Sequence, residues 1–149
     1  MMTPAPTVHA SAVLAGARAV LIRGPSGAGK SRLALALLMA AQDGQLAFAR
    51  LVADDRCHLE AHHGRLLVRP AAELAGLIEV HGLGIRRLPH EPVAVVGLVV
   101  DLAAADAERL PDAGQRASIA GIEVSRLAVA PDADPLPLVL AALTTERAA

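Results

Sequence analysis

The chain reads as a single α/β domain over residues 1–149, and three observations predict that class. An apolar stretch at 18–23 runs directly into Gly24-Pro25-Ser26-Gly27-Ala28-Gly29-Lys30-Ser31, and a strongly helix-forming segment follows at 30–41. Short apolar runs of strand length then recur between turn residues along the rest of the chain. Hydrophobic residues make up 54% of the sequence but aromatic residues only 1%, so the core has to be assembled from Val, Leu, Ile and Ala. At 15.2 kDa the chain is one domain long and large enough to bury such a core without disulfides.

In order, residues 8–14 and 18–23, joined by Ala15-Gly16-Ala17, read as a hairpin whose second strand leads into the glycine motif. The run KSRLALALLMAA at 30–41 has high helix propensity and is closed by Asp43-Gly44. Residues 50–53 form a short strand ending in Asp54-Asp55, and 57–60 with 66–69 flank His62-His63-Gly64 as a second hairpin. One helical turn is expected at 72–75. Two glycines weaken a helix over 77–85, which is placed as a turn or strand. The near-continuous apolar run 93–100 reads as a strand covered on both faces, with Asp101 directly after it. Short strands are expected at 119–123 and 126–130, a Pro-rich loop at 131–137 and a closing helix at 138–147.

Charge and composition exclude several roles. Fourteen basic and 15 acidic groups leave a net charge of -1, with no basic footprint for nucleic acid or an anionic membrane. No apolar run is long enough to cross a bilayer as a helix, the longest being 93–102. Cys57 is the only cysteine, so neither an internal disulfide nor a cysteine-built zinc site is expected, and a cytoplasmic location fits.

The motif at 24–31 has the spacing of a phosphate-binding loop. Its glycines permit a compact turn whose backbone N–H groups converge on phosphate oxygens, and the following helix adds its positive end. Lys30, the only lysine in the chain, would reach the β and γ phosphates, and the Ser31 hydroxyl would ligate Mg²⁺. Binding of ATP with Mg²⁺ at Gly24, Pro25, Ser26, Gly27, Ala28, Gly29, Lys30 and Ser31 is the expectation. Asp54 and Asp55 follow a strand beside this loop. Neighbours in a strand point to opposite faces, so one can meet the γ-phosphate while the other holds structure or a metal-bound water. Glu79, in a glycine-flanked apolar segment, is a candidate direct or indirect Mg²⁺ ligand.

Four segments, in order along most of the chain, resemble the catalytic domain of HPr kinase/phosphorylase: His9, GPSGAGKS at 24–31, LVADDR at 51–56 and IEVHGLGI at 78–85. The resemblance implies a phosphate-loop fold of the HPr kinase/phosphoenolpyruvate carboxykinase-like type. It also implies a kinase that phosphorylates a serine of the phosphocarrier protein HPr, or of its nitrogen-branch paralogue, within the phosphotransferase system. On that reading Asp55 is the base toward the acceptor serine, Ser31 and Glu79 are the Mg²⁺ ligands, His9 is the histidine near the phosphates, and Arg109 balances charge on the transferring group. The family forms hexamers, so a homo-oligomer is expected.

Two departures bear on activity. The usual arginine of the EIRG segment is His81 here, which replaces a permanent charge with a titratable one. After Arg126 the family has a basic Pro-Val-Arg-Pro-Gly-Arg-Asn stretch tied to phosphate removal, whereas this chain has Val129-Ala130-Pro131-Asp132-Ala133-Asp134-Pro135. Phosphorylase activity is therefore expected to be weak or absent. With His9 close to the amino terminus, the chain resembles the short single-domain forms of some proteobacteria. Two rival functions share the loop. A small-molecule kinase would need an arginine-rich lid, and only Arg86-Arg87 cluster here; a nucleotide-sensing module would survive loss of Asp55.

Overall fold

Arg23, Asp101 and Ala128 lie side by side at one edge of a mixed sheet, where three parallel strands end together. The computed structural model describes residues 6–112 and 114–148. Ten strands are present among them: β1 Ser11–Ala15, β2 Arg18–Arg23, β3 Ala49–Ala53, β4 Cys57–His62, β5 Arg65–Pro70, β6 Leu77–Val80, β7 Gly84–Arg87, β8 Ala94–Asp101, β9 Arg116–Ile119 and β10 Ile122–Ala128. Two helices, α1 Lys30–Gln42 and α2 Pro135–Thr144, complete the α/β architecture. The main sheet runs β3-β1-β2-β8-β10-β9, with β8 parallel to β2 and β10, while β6 and β7 form a separate hairpin. The β4–β5 hairpin joins β8 through β5, with Leu67 opposite Val95 and Val68 opposite Ala94.

The core has two layers because the sheet is apolar on both faces. Leu33, Ala34, Leu37 and Ala40 of α1 pack with Val13, Val20, Ile22, Val100 and Val139 on one side. These helical positions recur at the spacing of one helix face, which directs α1 onto the sheet. Leu21, Val52, Val99, Leu66 and Val68 form the other layer, closed by the β4–β5 hairpin. Strand β8 is thus covered on both faces, as its apolar run predicted. Its register slips by one residue, Ala19 facing Val96 but Val20 facing Leu98. Gly97 is the extra residue, and it lies so close to β2 that a Cβ there would sit 2.7 Å from the Arg18 Cβ. Glycine is what lets the bulge close.

Several boundaries differ from expectation. The strand at 8–14 is interrupted: Val8 makes an isolated bridge to Cys57, the chain bends at His9, and β1 starts at Ser11. The segment 119–123 is not one strand, because Ala120-Gly121 is the tight turn between β9 and β10. Residues 131–137 are not all loop. Helix α2 starts at Pro135, with Asp134 accepting from the Leu136 N–H at 3.2 Å, since proline suits the first helical position and an aspartate before it supplies the cap. The helix stops at Thr144 rather than 147, and the Thr144 and Thr145 hydroxyls donate back to the Leu140 and Ala141 carbonyls. The segment 77–85 is a hairpin, and 72–74 a 3-10 turn.

Candidate active site

The glycine loop leaves the C-terminal end of β2, the edge at which ligands meet parallel strands in α/β sheets. Its last residue, Gly29, caps α1 in a left-handed conformation (φ 101°) that favours glycine, so the helix begins at once with Lys30. No side chain caps that terminus. Its first N–H groups are left to face whatever occupies the loop, with the positive end of the helix behind them. The Lys30 ammonium crosses the loop and donates to the Gly24 and Pro25 carbonyls at 2.8 and 3.2 Å.

The two aspartates are divided by burial. Asp54 is 5% exposed, and its carboxylate accepts from the Ser11 hydroxyl at 2.8 Å, the Ser31 hydroxyl at 2.6 Å and the Glu79 N–H at 3.1 Å. It therefore ties β1, the start of α1 and β6 to the end of β3. Asp55 has a positive φ of 70°, an uncommon conformation outside glycine that aspartate tolerates better than most. The turn is held by the Ser11 hydroxyl, which accepts from the Asp55 N–H, and by the Asp55 carbonyl, which accepts from the Ala10 N–H. The two differ in burial and hydrogen bonding, and the cause is this left-handed turn beyond the end of β3 rather than alternation along a strand. Asp55 turns its side chain into the open.

The bend at His9 brings its imidazole to 3.8 Å from Asp55, Nδ1 to Oδ1, with both side chains about two-thirds exposed, at 67% and 64%. Together with Lys30, Ser31, Glu79 and His81 they line one cleft of about 850 Å³ that reaches from Gly24 to Leu35. With Arg32 and Ser26 the cleft thus collects two cations, two exposed carboxylates, two hydroxyls and two imidazoles around the helix terminus. Of the residues singled out from the sequence, Gly24, Ser26, Gly27, Gly29, Lys30, Ser31, His9, Asp55 and Glu79 line it. Pro25 and Ala28 lie on the other side of the loop. Arg109, expected beside the transferring group, lies instead on an exposed bend between β8 and β9 and is not among the residues that line the cleft. The largely exposed segment that carries it is tied at Asp106 to Arg126.

Under the loop lies an ion network that sequence reasoning did not find. Arg23, the residue before Gly24, donates two hydrogen bonds to Asp101 at 2.7 and 2.9 Å. Arg126 of β10 joins Asp101 and makes a bidentate pair with Asp106 at 2.7 and 3.0 Å. Burial alone would raise the Asp101 pKa, but hydrogen bonds and charge from Arg23 and Arg126 outweigh it and hold the carboxyl below its usual range. The guanidinium of Arg126 is correspondingly raised, chiefly by its hydrogen bonds to Asp106 and Asp101. An aspartate ending an apolar run was the visible signal. Its partners, 78 and 25 residues away, were not.

The family described as "HPr Serine kinase C-terminal domain" matches residues 1–142. The chain belongs to that family. Among curated proteins it is similar to the HPr kinase/phosphorylase of Geobacillus thermodenitrificans (strain NG80-2), 33% identical over 143 residues. That match covers 86% of this chain and 43% of the relative, so the chain spans less than half of the relative's length. Among solved structures it resembles the Hpr(Ser) kinase/phosphatase from Coxiella burnetii, with a TM-score of 0.73 at 24% identity over 93% of this chain and 88% of that one. The likeness is one of fold, and it identifies the α/β arrangement as that of an HPr kinase domain. No helix among the described residues is long and apolar enough to cross a membrane.

Proposed function

We propose that this chain is an ATP-dependent protein serine kinase acting on HPr or its nitrogen-branch paralogue, as a single cytoplasmic catalytic domain of the phosphoenolpyruvate carboxykinase-like phosphate-loop type. The observation that carries the reading is the division of labour between the aspartates. Asp54 is buried and committed to three hydrogen bonds, while Asp55 is exposed, with His9 beside it, and shares a cleft with Lys30 at a helix N-terminus. That is what phosphoryl transfer requires: fixed donors for the phosphates and an open carboxylate for the incoming hydroxyl.

The loop N–H groups and Lys30 hold and neutralise the β and γ phosphates. Asp55 accepts the proton of the acceptor's seryl hydroxyl as that oxygen bonds to the γ-phosphorus, and the β–γ bridging oxygen leaves with ADP. His9, next to Asp55 in the same cleft, would hydrogen-bond a γ-phosphate oxygen. Mg²⁺ fits the donor set. Among the described residues no group of three or more His, Cys, Asp and Glu could hold a metal alone, and Mg²⁺ is usually held by one or two carboxylates together with substrate phosphates. Ser31 and Glu79 would hold it, and when bound it supplies charge neutralisation at the phosphates. The family resemblance alone suggests a homo-oligomer, a hexamer in the family.

The test is transfer of labelled γ-phosphate from ATP with Mg²⁺ onto the carrier, with Asp55→Asn as control. Label on a carrier serine, lost in the control, is expected. No label on the carrier despite demonstrated ATP binding overturns the kinase reading. Dephosphorylation of the serine-phosphorylated carrier is expected to be weak or absent, since Asp132 and Asp134 follow β10 where the family is basic.

A further inference from the structure

The sheet carries a hollow at the end away from the glycine loop. It holds about 300 Å³, and its floor is the start of β2 together with Gly97 and Leu98 of β8 and Ser125 of β10. Ala15 of β1 and the last turn of α2, at Ala142 and Leu143, wall it. Strand β2 runs from Arg18 here to Arg23 at the loop, which for six residues of extended chain is roughly 17 Å. No residue lines both this hollow and the active-site cleft. Its chemistry is uneven. Ala19, Val20, Leu98 and Leu143 make it aliphatic, Ser125 adds a hydroxyl from an exposed position, and Arg18 is its only ionisable group. A Cβ at Gly97 would meet the Arg18 Cβ, Cγ and Cδ at 2.7, 3.3 and 2.9 Å, so the aliphatic stem of Arg18 lies along the bare backbone of β8. Arg23, Arg50, Arg69 and Arg126 are each paired with a carboxylate, whereas the Arg18 guanidinium makes no ion pair among the described residues.

An arginine whose stem is packed and whose fork is open, set over aliphatic walls, is half of a binding site. We propose that this hollow binds a small aliphatic carboxylate, at a site separate from the catalytic cleft. The guanidinium fork matches the two carboxylate oxygens, the Ser125 hydroxyl donates to one of them, and the apolar walls take the chain. A phosphate dianion fits less well. The hollow supplies one cation only, and the helix end beside it is the C-terminal end of α2, whose last turn has no basic residue and whose partial charge is negative. Gly97 has a part in the site as well as in the bulge, since a side chain there would lift the Arg18 stem off the sheet. The proposal stands apart from the kinase reading, because none of its residues belongs to the loop or the cleft.

The probe is hexanoate, titrated into the full chain and followed by the backbone amide shifts in NMR, with hexylammonium and hexyl phosphate as charge controls. Saturable shifts are expected at Gly97, Leu98, Ser125, Ala142 and Leu143, with a Kd on the order of 1 mM for so small a ligand, and they should persist when ATP and Mg²⁺ are present. Two variants test the two halves of the site. Arg18→Gln keeps most of the stem and removes the charge, and Ala142→Trp fills the hollow from an exposed position on α2. Each is expected to weaken hexanoate at least about tenfold, with amide shifts elsewhere in the chain unchanged as the sign of an intact fold. No saturable shift up to about 20 mM hexanoate in the unsubstituted protein overturns the proposal, whatever the variants do. Hexylammonium binding as well as hexanoate, or unchanged hexanoate affinity in Arg18→Gln, overturns the role of the arginine. Tighter binding of hexyl phosphate overturns the carboxylate assignment, and displacement of hexanoate by ATP overturns the separate site.

Discussion

Replacing Asp54 by alanine should damage folding far more than replacing Asp55, although the two are adjacent and both acidic. Three donors converge on Asp54: the Ser11 hydroxyl, the Ser31 hydroxyl and the Glu79 N–H. A hydrogen bond to a charged group contributes about 1.5–3 kcal/mol, and a buried donor left without a partner costs about 1–3 kcal/mol. Ser11 is fully buried and cannot turn to water, so its bond takes a middle value of about 2 kcal/mol. The Ser31 and Glu79 bonds are only part-buried, and water replaces them in part, so about 1 kcal/mol is assigned to each. The sum is about 4 kcal/mol, which for a domain of this size lowers the melting temperature by roughly 8–16 °C. Asp55→Asn removes no buried bond and keeps a residue type that accepts a left-handed backbone, so its melting temperature should stay within about 2 °C. Thermal unfolding followed by circular dichroism measures both. A melting temperature for Asp54→Ala within about 3 °C of the unsubstituted protein would falsify the view that Asp54 ties the site together. A cycle with Ser11→Ala sharpens the comparison, because the two substitutions share one bond and should be less than additive by about 1–2 kcal/mol.

Three further outcomes follow from the same geometry. Asp101→Asn should destabilise the protein by about 2–3 kcal/mol near neutral pH, since it leaves Arg23 unpaired beneath the loop. Because the folded carboxyl titrates below its unfolded value of about 4, this stabilisation is present above that pH and is lost as pH falls through the folded value. Urea unfolding of the two proteins should therefore differ from about pH 5 to 8 and converge at lower pH; a constant difference down to about pH 2 contradicts the assignment. Gly97→Ala should cost about 2–3 kcal/mol by forcing β2 and β8 apart, and Arg18→Ala should rescue it only in part, since it removes the Cγ and Cδ contacts but leaves the Arg18 Cβ at 2.7 Å; a neutral Gly97→Ala removes the argument for the bulge. Burial pushes the Cys57 thiol up to about 12, so at pH 8 a thiol reagent should label it only as fast as the protein unfolds, and rapid labelling of the native state would show that the strand pairing there opens.

Much of the fold was legible because its signals are local. Strand β2, the glycine loop and α1 follow from consecutive residues, and the apolar run before Asp101 announced a strand covered on both faces. The errors came where local signals conflict. Pro135 and Pro137 read as loop residues, yet both fall in the first turn of α2, where a missing N–H costs nothing. Ala120-Gly121 lies between apolar residues and reads as part of a strand, although it makes the turn of a hairpin. Arg109 was placed by resemblance alone, with no periodicity or partner to support it, and it lies away from the cleft.

The candidate site divides in the same way. Short-range chemistry alone determined that a loop of glycines would precede a helix beginning at Lys30, and that two adjacent carboxylates would follow the next strand. Backbone sterics and helix propensity act over a few residues, so these features survive without knowledge of what surrounds them. Only the tertiary structure decided which aspartate is committed and which is exposed. Asp54 is taken up by partners 43, 23 and 25 residues away, and the His9 bend reaches the cleft because Val8 pairs with Cys57. The Arg23–Asp101–Arg126 network likewise exists only because β2, β8 and β10 end in register. Burial and the choice of hydrogen-bond partner are properties of segments brought together from across the chain, and no window of local sequence contains them.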